Sequence, residues 1–277
     1  MIQKMPHAVV PVVLVMLCVL LPGTALGETP ENPYRDLLPH AEALVTVKYV
    51  LEAKVPGMGN QEMENEVTCL MIAADGLILC SNAAMGGTMG LLARMMVGGG
   101  GVSLVPKQIE VLLGEASEGA KATVVARDTE RDLSWLSLDE PPESVPRFLD
   151  FSDHASLEPG DTFYRLRRLD EFFGRAPAVE AGIISAVVDK PRRLLVPEIS
   201  SASGAFGLPV FDDRGQLVGI TVLQLPGEET RGSMFDASMG SIGNKMQDMA
   251  GGLVLPASEV VRATQLARES MAADEDE

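Results

Sequence analysis

From residue 44 onward apolar and polar side chains alternate. Val45, Val47, Tyr49, Leu51, Ala53 and Val55 fall on one face, and Thr46, Lys48, Glu52 and Lys54 on the other. Successive side chains of an extended backbone point to opposite sides, so the pattern predicts a half-buried strand over Leu44–Val55. Shorter β-rich runs follow at Glu66–Ile72, Leu77–Ser81, Gln108–Leu113, Lys121–Ala126, Leu133–Leu138, Thr162–Leu166, Val179–Val188 and Arg193–Val196. Leu208–Phe211 and Gln216–Leu225 flank the turn formers Asp212-Asp213-Arg214-Gly215 and predict a hairpin. Short strands with frequent turn signals and no strand–helix alternation imply an all-β chain of closed or packed antiparallel sheets. The Pro-rich stretch Asp139–Pro146 divides the strands into two groups of similar size and reads as a linker between two barrels. Pro256-Ala257-Ser258 opens a helix expected to run through Met271, and Ala272–Glu277 reads as a disordered acidic tail.

The opening residues follow another pattern. Met1–His7 carries Lys4, Ala8–Leu21 is apolar except for Pro11, and Gly23-Thr24-Ala25-Leu26-Gly27 supplies small residues before a cut. This is the form of a secretory signal peptide cleaved after Gly27. The apolar run is shorter than the roughly 20 residues a spanning helix needs, which argues against an uncleaved anchor. A lipoprotein cut at Cys18 would need small residues where Val15-Met16-Leu17 stand. The expectation is a secreted or periplasmic protein with no transmembrane segment after signal cleavage.

Composition narrows the partners. With 46% hydrophobic residues the 277-residue chain can bury a sizeable core, but at 4% aromatic that core must rest on Val, Leu, Ile, Ala and Met. Lys and Arg number 22 against 39 Asp and Glu, a net charge of -17. Such a surface repels phosphate backbones, so no nucleic acid partner is expected. Signal cleavage removes Cys18 and leaves Cys69 and Cys80 on either side of the turn Ala74-Asp75-Gly76, nearly opposite each other across a hairpin. Facing Cβ atoms in such a pair lie about 4.5–5.5 Å apart, slightly wider than a relaxed disulfide favours. A structural disulfide and two buried thiols both remain open. The spacing fits neither a zinc knuckle nor a Cys-x-x-Cys redox pair, and no metal or cofactor is implied.

Gly76–Met85, Arg127–Leu136 and Ser203–Val210, in that order along the chain, resemble three segments of trypsin-like serine proteases, nearest the bacterial Deg/high-temperature-requirement branch. Gly76-Leu77-Ile78-Leu79-Cys80-Ser81-Asn82-Ala83-Ala84-Met85 resembles the strand and turn carrying that family's catalytic His. Arg127-Asp128-Thr129-Glu130-Arg131-Asp132-Leu133-Ser134-Trp135-Leu136 resembles the segment with its Asp, and Ser203-Gly204-Ala205-Phe206-Gly207-Leu208-Pro209-Val210 the stretch with its nucleophilic Ser. Leu157–Thr162, Gly182-Ile183-Ile184-Ser185 and Gly252–Ser258 are similar to further marks of the family, so the resemblance spans most of residues 41–265. It implies two antiparallel six-stranded β-barrels with a C-terminal helix. The expected division is residues 1–27 signal peptide, 28–40 extension, 41–140 first barrel, 141–147 linker, 148–256 second barrel and 257–277 helix and tail.

The departures from the family carry the functional reading. By register the His position falls on Ala83 and the Ser position on Phe206, while Asp132 is kept. In the family's mechanism the His takes the serine proton and the Asp orients that His, so an Asp with neither partner has nothing to orient. Outside the leader the histidines are His40, ahead of the first strand, and His154, in a loop; both read as solvated. The degenerate triad Ala83, Asp132 and Phe206 therefore implies a pseudoprotease, a non-catalytic relative that binds polypeptide or scaffolds a partner, with Phe206, Gly204 and Gly207 as candidate binding residues. The alternative is an active endopeptidase with rearranged chemistry, for instance on Ser203 with another base. Segments rich in Met and Gly, residues 85–101 and 234–252, read as gap-filling Met and loose loops, as adaptable apolar binding surface, or as soft thioether ligands for Cu(I).

Overall fold

The computed structural model describes residues 32–55, 59–87, 103–113, 119–142, 146–198, 206–224 and 252–275. A short helix α1 (Pro33–Leu37) and a 3-10 turn (Leu38–Ala43) lead into six strands: β1 (Leu44–Val55), β2 (Gly59–Met71), β3 (Ile78–Ser81), β4 (Ser103–Leu113), β5 (Ala120–Asp128) and β6 (Leu133–Leu138). These close antiparallel in the order β1-β2-β3-β6-β5-β4. A second closed barrel, ordered β10-β11-β12-β9-β8-β7, is built from β7 (Thr162–Arg168), β8 (Pro177–Val188), β9 (Leu194–Pro197), β10 (Pro209–Phe211), β11 (Leu217–Val222) and β12 (Leu253–Pro256). The helix α2 (Ala257–Glu275) completes the fold.

The alternation in β1 places its side chains as expected: Val45, Val47, Tyr49 and Leu51 enter the interior of the first barrel with Ile78, Cys80, Val111 and Leu136. A smaller cluster of Phe163, Ile184, Leu195, Val210, Val218 and Val254 fills the second. The largest cluster lies outside both interiors. Leu44, Leu70, Leu79 and Trp135 of the first barrel meet Leu166, Phe211, Leu217 and Ile220 of the second, with Val260, Ala263 and Ala267 of α2. Burial on two faces explains why β3 and β11 read as nearly continuous apolar runs rather than alternating ones.

Local differences from the sequence expectation have physical causes. Strand β2 begins at Gly59 rather than Glu66, because its polar first half pairs with β1 along the whole register from Leu44–Leu70 to Val55–Gly59. The acidic residues after Met271 continue α2 to Glu275 instead of fraying at Ala272; upstream on the same helix, Arg268 pairs with Asp75 at 2.8 Å, linking its last turns to the first barrel. His40 is not a solvated loop residue: it is half-buried and stacks on Phe211, ring centroids 5.2 Å apart, and burial lowers its pKa. His154 is exposed, with Nδ1 3.0 Å from the Phe151 carbonyl. Among the described residues no helix is long and apolar enough to cross a membrane.

Candidate functional site

The site forms where the two barrels meet, around the loop between β5 and β6. Asp128 starts it: its Oδ1 accepts the amides of Glu130 at 3.0 Å and Arg131 at 2.9 Å, an Asx-type turn that reverses the chain. The turn delivers Asp132 in the left-handed region, φ 60°, where Asp is among the few non-glycine residues found with any frequency. Its own carbonyl accepts the Asn82 amide at 2.9 Å, docking the loop on the turn after β3.

The Asp132 side chain is 4% exposed and its carboxyl accepts from three donors. Ser81 Oγ donates to Oδ2 at 2.7 Å, the Ala83 amide to Oδ1 at 2.6 Å and the Leu223 amide to Oδ2 at 2.8 Å. The first two come from the first barrel; the third follows β11 of the second. Burial raises the carboxyl pKa from 3.8 to about 6 against the pull of these three hydrogen bonds. Ser81 is committed as well: wholly buried, it donates to Asp132 and accepts the Ala84 amide at 3.1 Å. Asn82 Oδ1 accepts from Ser134 Oγ and the Arg127 guanidinium, each at 3.2 Å.

Ala83 opens a wide helical turn, Ala83–Gly87, held by Tyr49, whose hydroxyl donates to the Ala84 carbonyl at 2.6 Å. The structure thus brings Ala83 and Asp132 together, but through the Ala83 backbone; toward the carboxylate side its side chain offers only a methyl group. Gly207 packs against the same corner. Gly207 has φ +81°, and a Cβ there would stand 3.1 Å from the Ser81 nitrogen, so glycine is required by both conformation and close approach. Its amide donates to the Thr221 carbonyl at 2.7 Å, and the Leu208 amide to Thr221 Oγ1 at 2.9 Å. Gly207 is therefore a buried junction between the barrels, with its donor used internally. Phe206 is half-buried beside Gly252, where an added Cβ would lie 3.5 Å from its ring. Gly204 and Ser203 lie outside the described residues, as do most of the Met- and Gly-rich segments.

Cys69 and Cys80 face each other across β2 and β3 and are joined in a disulfide, Cα atoms 4.7 Å apart. Its position fastens β3, and hence the Ser81–Ala83 turn, to the hairpin. Among the described residues no cluster of His, Cys, Asp or Glu could hold a metal ion.

A family model of the trypsin-like peptidase domain matches residues 67–220, more than half of the chain. The chain belongs to this family. Two solved structures are similar to it. The HtrA-type protease AlgW, a serine-to-alanine variant with a decapeptide, is 18% identical over 85% of this chain and 67% of its own, with a TM-score of 0.54. The MamO protease domain from Magnetospirillum magneticum in its apo form is 15% identical over 83% and 98%, with a TM-score of 0.48. No curated protein matches the sequence.

Sequence reasoning placed Asp132 at the centre but missed Ser81, Asn82 and Thr221. A signal was present: Thr221 is a lone polar residue in an apolar run and Ser81-Asn82 a polar pair between apolar neighbours, and polar groups buried in such runs need internal partners.

Proposed function

We propose that this trypsin-like chain binds polypeptide at the barrel junction without cutting it, outside the cytoplasm. One observation carries the reading. The Asp132 carboxylate binds Ser81, Ala83 and Leu223 and so ties the two barrels together, while no imidazole stands at the position it would orient. At the positions that the family resemblance gives to general base and nucleophile stand a methyl group and a phenyl ring, neither able to take or give a proton. Phe206, half-buried beside Gly252 and next in the chain to Gly207, offers apolar surface where a ligand side chain can pack. That AlgW was solved with a decapeptide supports an extended polypeptide as ligand class. The apolar leader Ala8–Leu21 with its small-residue cut supports export.

The test is to incubate the protein with a serine-reactive fluorophosphonate and with labelled, unfolded casein, mapping any adduct by mass spectrometry. The expected result is no adduct and no cleavage beyond a heat-killed control, with casein binding seen as raised anisotropy and weakened several-fold by Phe206→Ala. Labelling of any serine, Ser203 included, with cleavage of casein would overturn the non-cleaving reading. Unchanged anisotropy in the wild type would overturn the binding one.

A further inference from the structure

In a chain with so few aromatic residues, two adjacent phenylalanines stand out in water. Phe172 is 86% exposed and Phe173 60%, at the tip of the hairpin joining β7 and β8, with ring centroids 5.0 Å apart in an edge-to-face pair. The tip is built rather than loose. Asp170 Oδ1 accepts the Phe172 amide at 2.8 Å, the Asp170 carbonyl accepts Phe173 and Arg175, and the Glu171 carbonyl accepts Gly174. Below it, Arg168 donates to the carbonyls of Ala41, Leu44 and Arg175.

Charges around the rings balance. Glu171 pairs with Arg175 at 3.1 Å and Lys48 at 3.7 Å, and Glu66 pairs with Arg175 at 3.0 Å. With Asp170 and Arg168 these make three carboxylates against three cations, although the whole chain is strongly acidic. We propose that this hairpin tip inserts Phe172 and Phe173 into the interfacial zone of a zwitterionic lipid bilayer.

Three features select that occupant. The amides of residues 172–174 are all paired within the turn, so entry into the interfacial zone orphans no backbone donor there. At about 150–250 Å² per Phe, the exposed ring surface comes to a few hundred Å², short of the roughly 800 Å² per partner of a stable protein interface; a second copy is thereby disfavoured. A fluid bilayer asks for no matching pocket, and an electrically balanced tip suits zwitterionic headgroups, whereas anionic lipid would repel the acidic body behind it.

The test uses the full chain with Trp at the tip. The only native tryptophan, Trp135, is 1% exposed and supplies a constant background. In Phe172→Trp, phosphatidylcholine vesicles should shift the emission to the blue, and lipid brominated on its acyl chains should quench the added Trp by about twofold or more, the depth expected of an interfacial side chain. Phe173→Trp provides a second reading should the first variant fold poorly. Leu266→Trp, at an exposed position on α2, should stay unquenched, which separates insertion of the tip from tethering by the apolar leader. No quenching at either tip position, equal quenching at Leu266→Trp, or a blue shift that grows with protein concentration in lipid-free buffer would each overturn the proposal. None of these readouts depends on whether the barrel junction binds or cuts polypeptide.

Discussion

Asp132 makes a prediction that runs against the usual behaviour of carboxylates. Its folded-state pKa is raised from 3.8 to about 6, with burial as the leading cause. Between those values the folded protein holds a proton that the unfolded chain has released. Stability from this group is therefore fully present below about pH 4 and is lost as pH rises through about 6. A difference of about two pKa units corresponds to about 3 kcal/mol, and at 4% exposure solvent screening does little to reduce it. Asp75, Asp150 and Glu259 act in the opposite sense. Hydrogen bonds from Arg268, Ser152 and Arg262 respectively lower their pKa values, so the net pH profile of the wild type mixes both signs. Asp132→Asn isolates the term, because it keeps size, tolerance of positive φ and one carbonyl acceptor while abolishing ionisation. Urea unfolding followed by Trp135 fluorescence at pH 4, 5, 6 and 7 gives the stability of each protein. The stability of Asp132→Asn relative to wild type should rise by about 2 kcal/mol from pH 4 to pH 7, the remainder of the effect falling below pH 4 where the unfolded carboxyl is already ionising. A difference flat across that range, or falling with pH, would refute the claim that burial outweighs the three hydrogen bonds.

Two further outcomes follow from the barrel junction. Gly207→Ala should destabilise by about 1–3 kcal/mol, since it imposes a side chain on a left-handed residue pressed against Ser81; a lowered urea midpoint with unchanged slope is the readout, and an unchanged midpoint would contradict the close approach. Replacing Cys69 and Cys80 together by Ala should cost about 3 kcal/mol for a bridge of sequence separation 11. Because both residues are wholly buried, alkylation after treatment with reductant should be slow in buffer and rapid in urea, as mass spectrometry can follow.

The strand pattern was legible because side-chain alternation is a local property: β1 and β6 fall at their predicted ends, and the hairpin around Asp212–Gly215 pairs β10 with β11. The facing of Cys69 and Cys80 was legible too, since a short turn fixes register. The ordered family motifs pointed to two barrels, which the strand pairing bears out. What the sequence could not convey is who satisfies whom across the junction. Leu223, whose amide completes the Asp132 carboxylate, lies 91 residues away in the chain, and no periodicity links the two. Gly207 reads as a fragment of a lost catalytic motif; only the packed barrels reveal that a side chain there would strike Ser81. The tip phenylalanines were likewise ordinary apolar residues in the sequence, and only the folded hairpin leaves them in water. Local chemistry along the chain determines strands, turns and the disulfide register. Partners of buried polar groups and the exposure of apolar ones arise from contacts between distant segments, and these exist only once both barrels have closed.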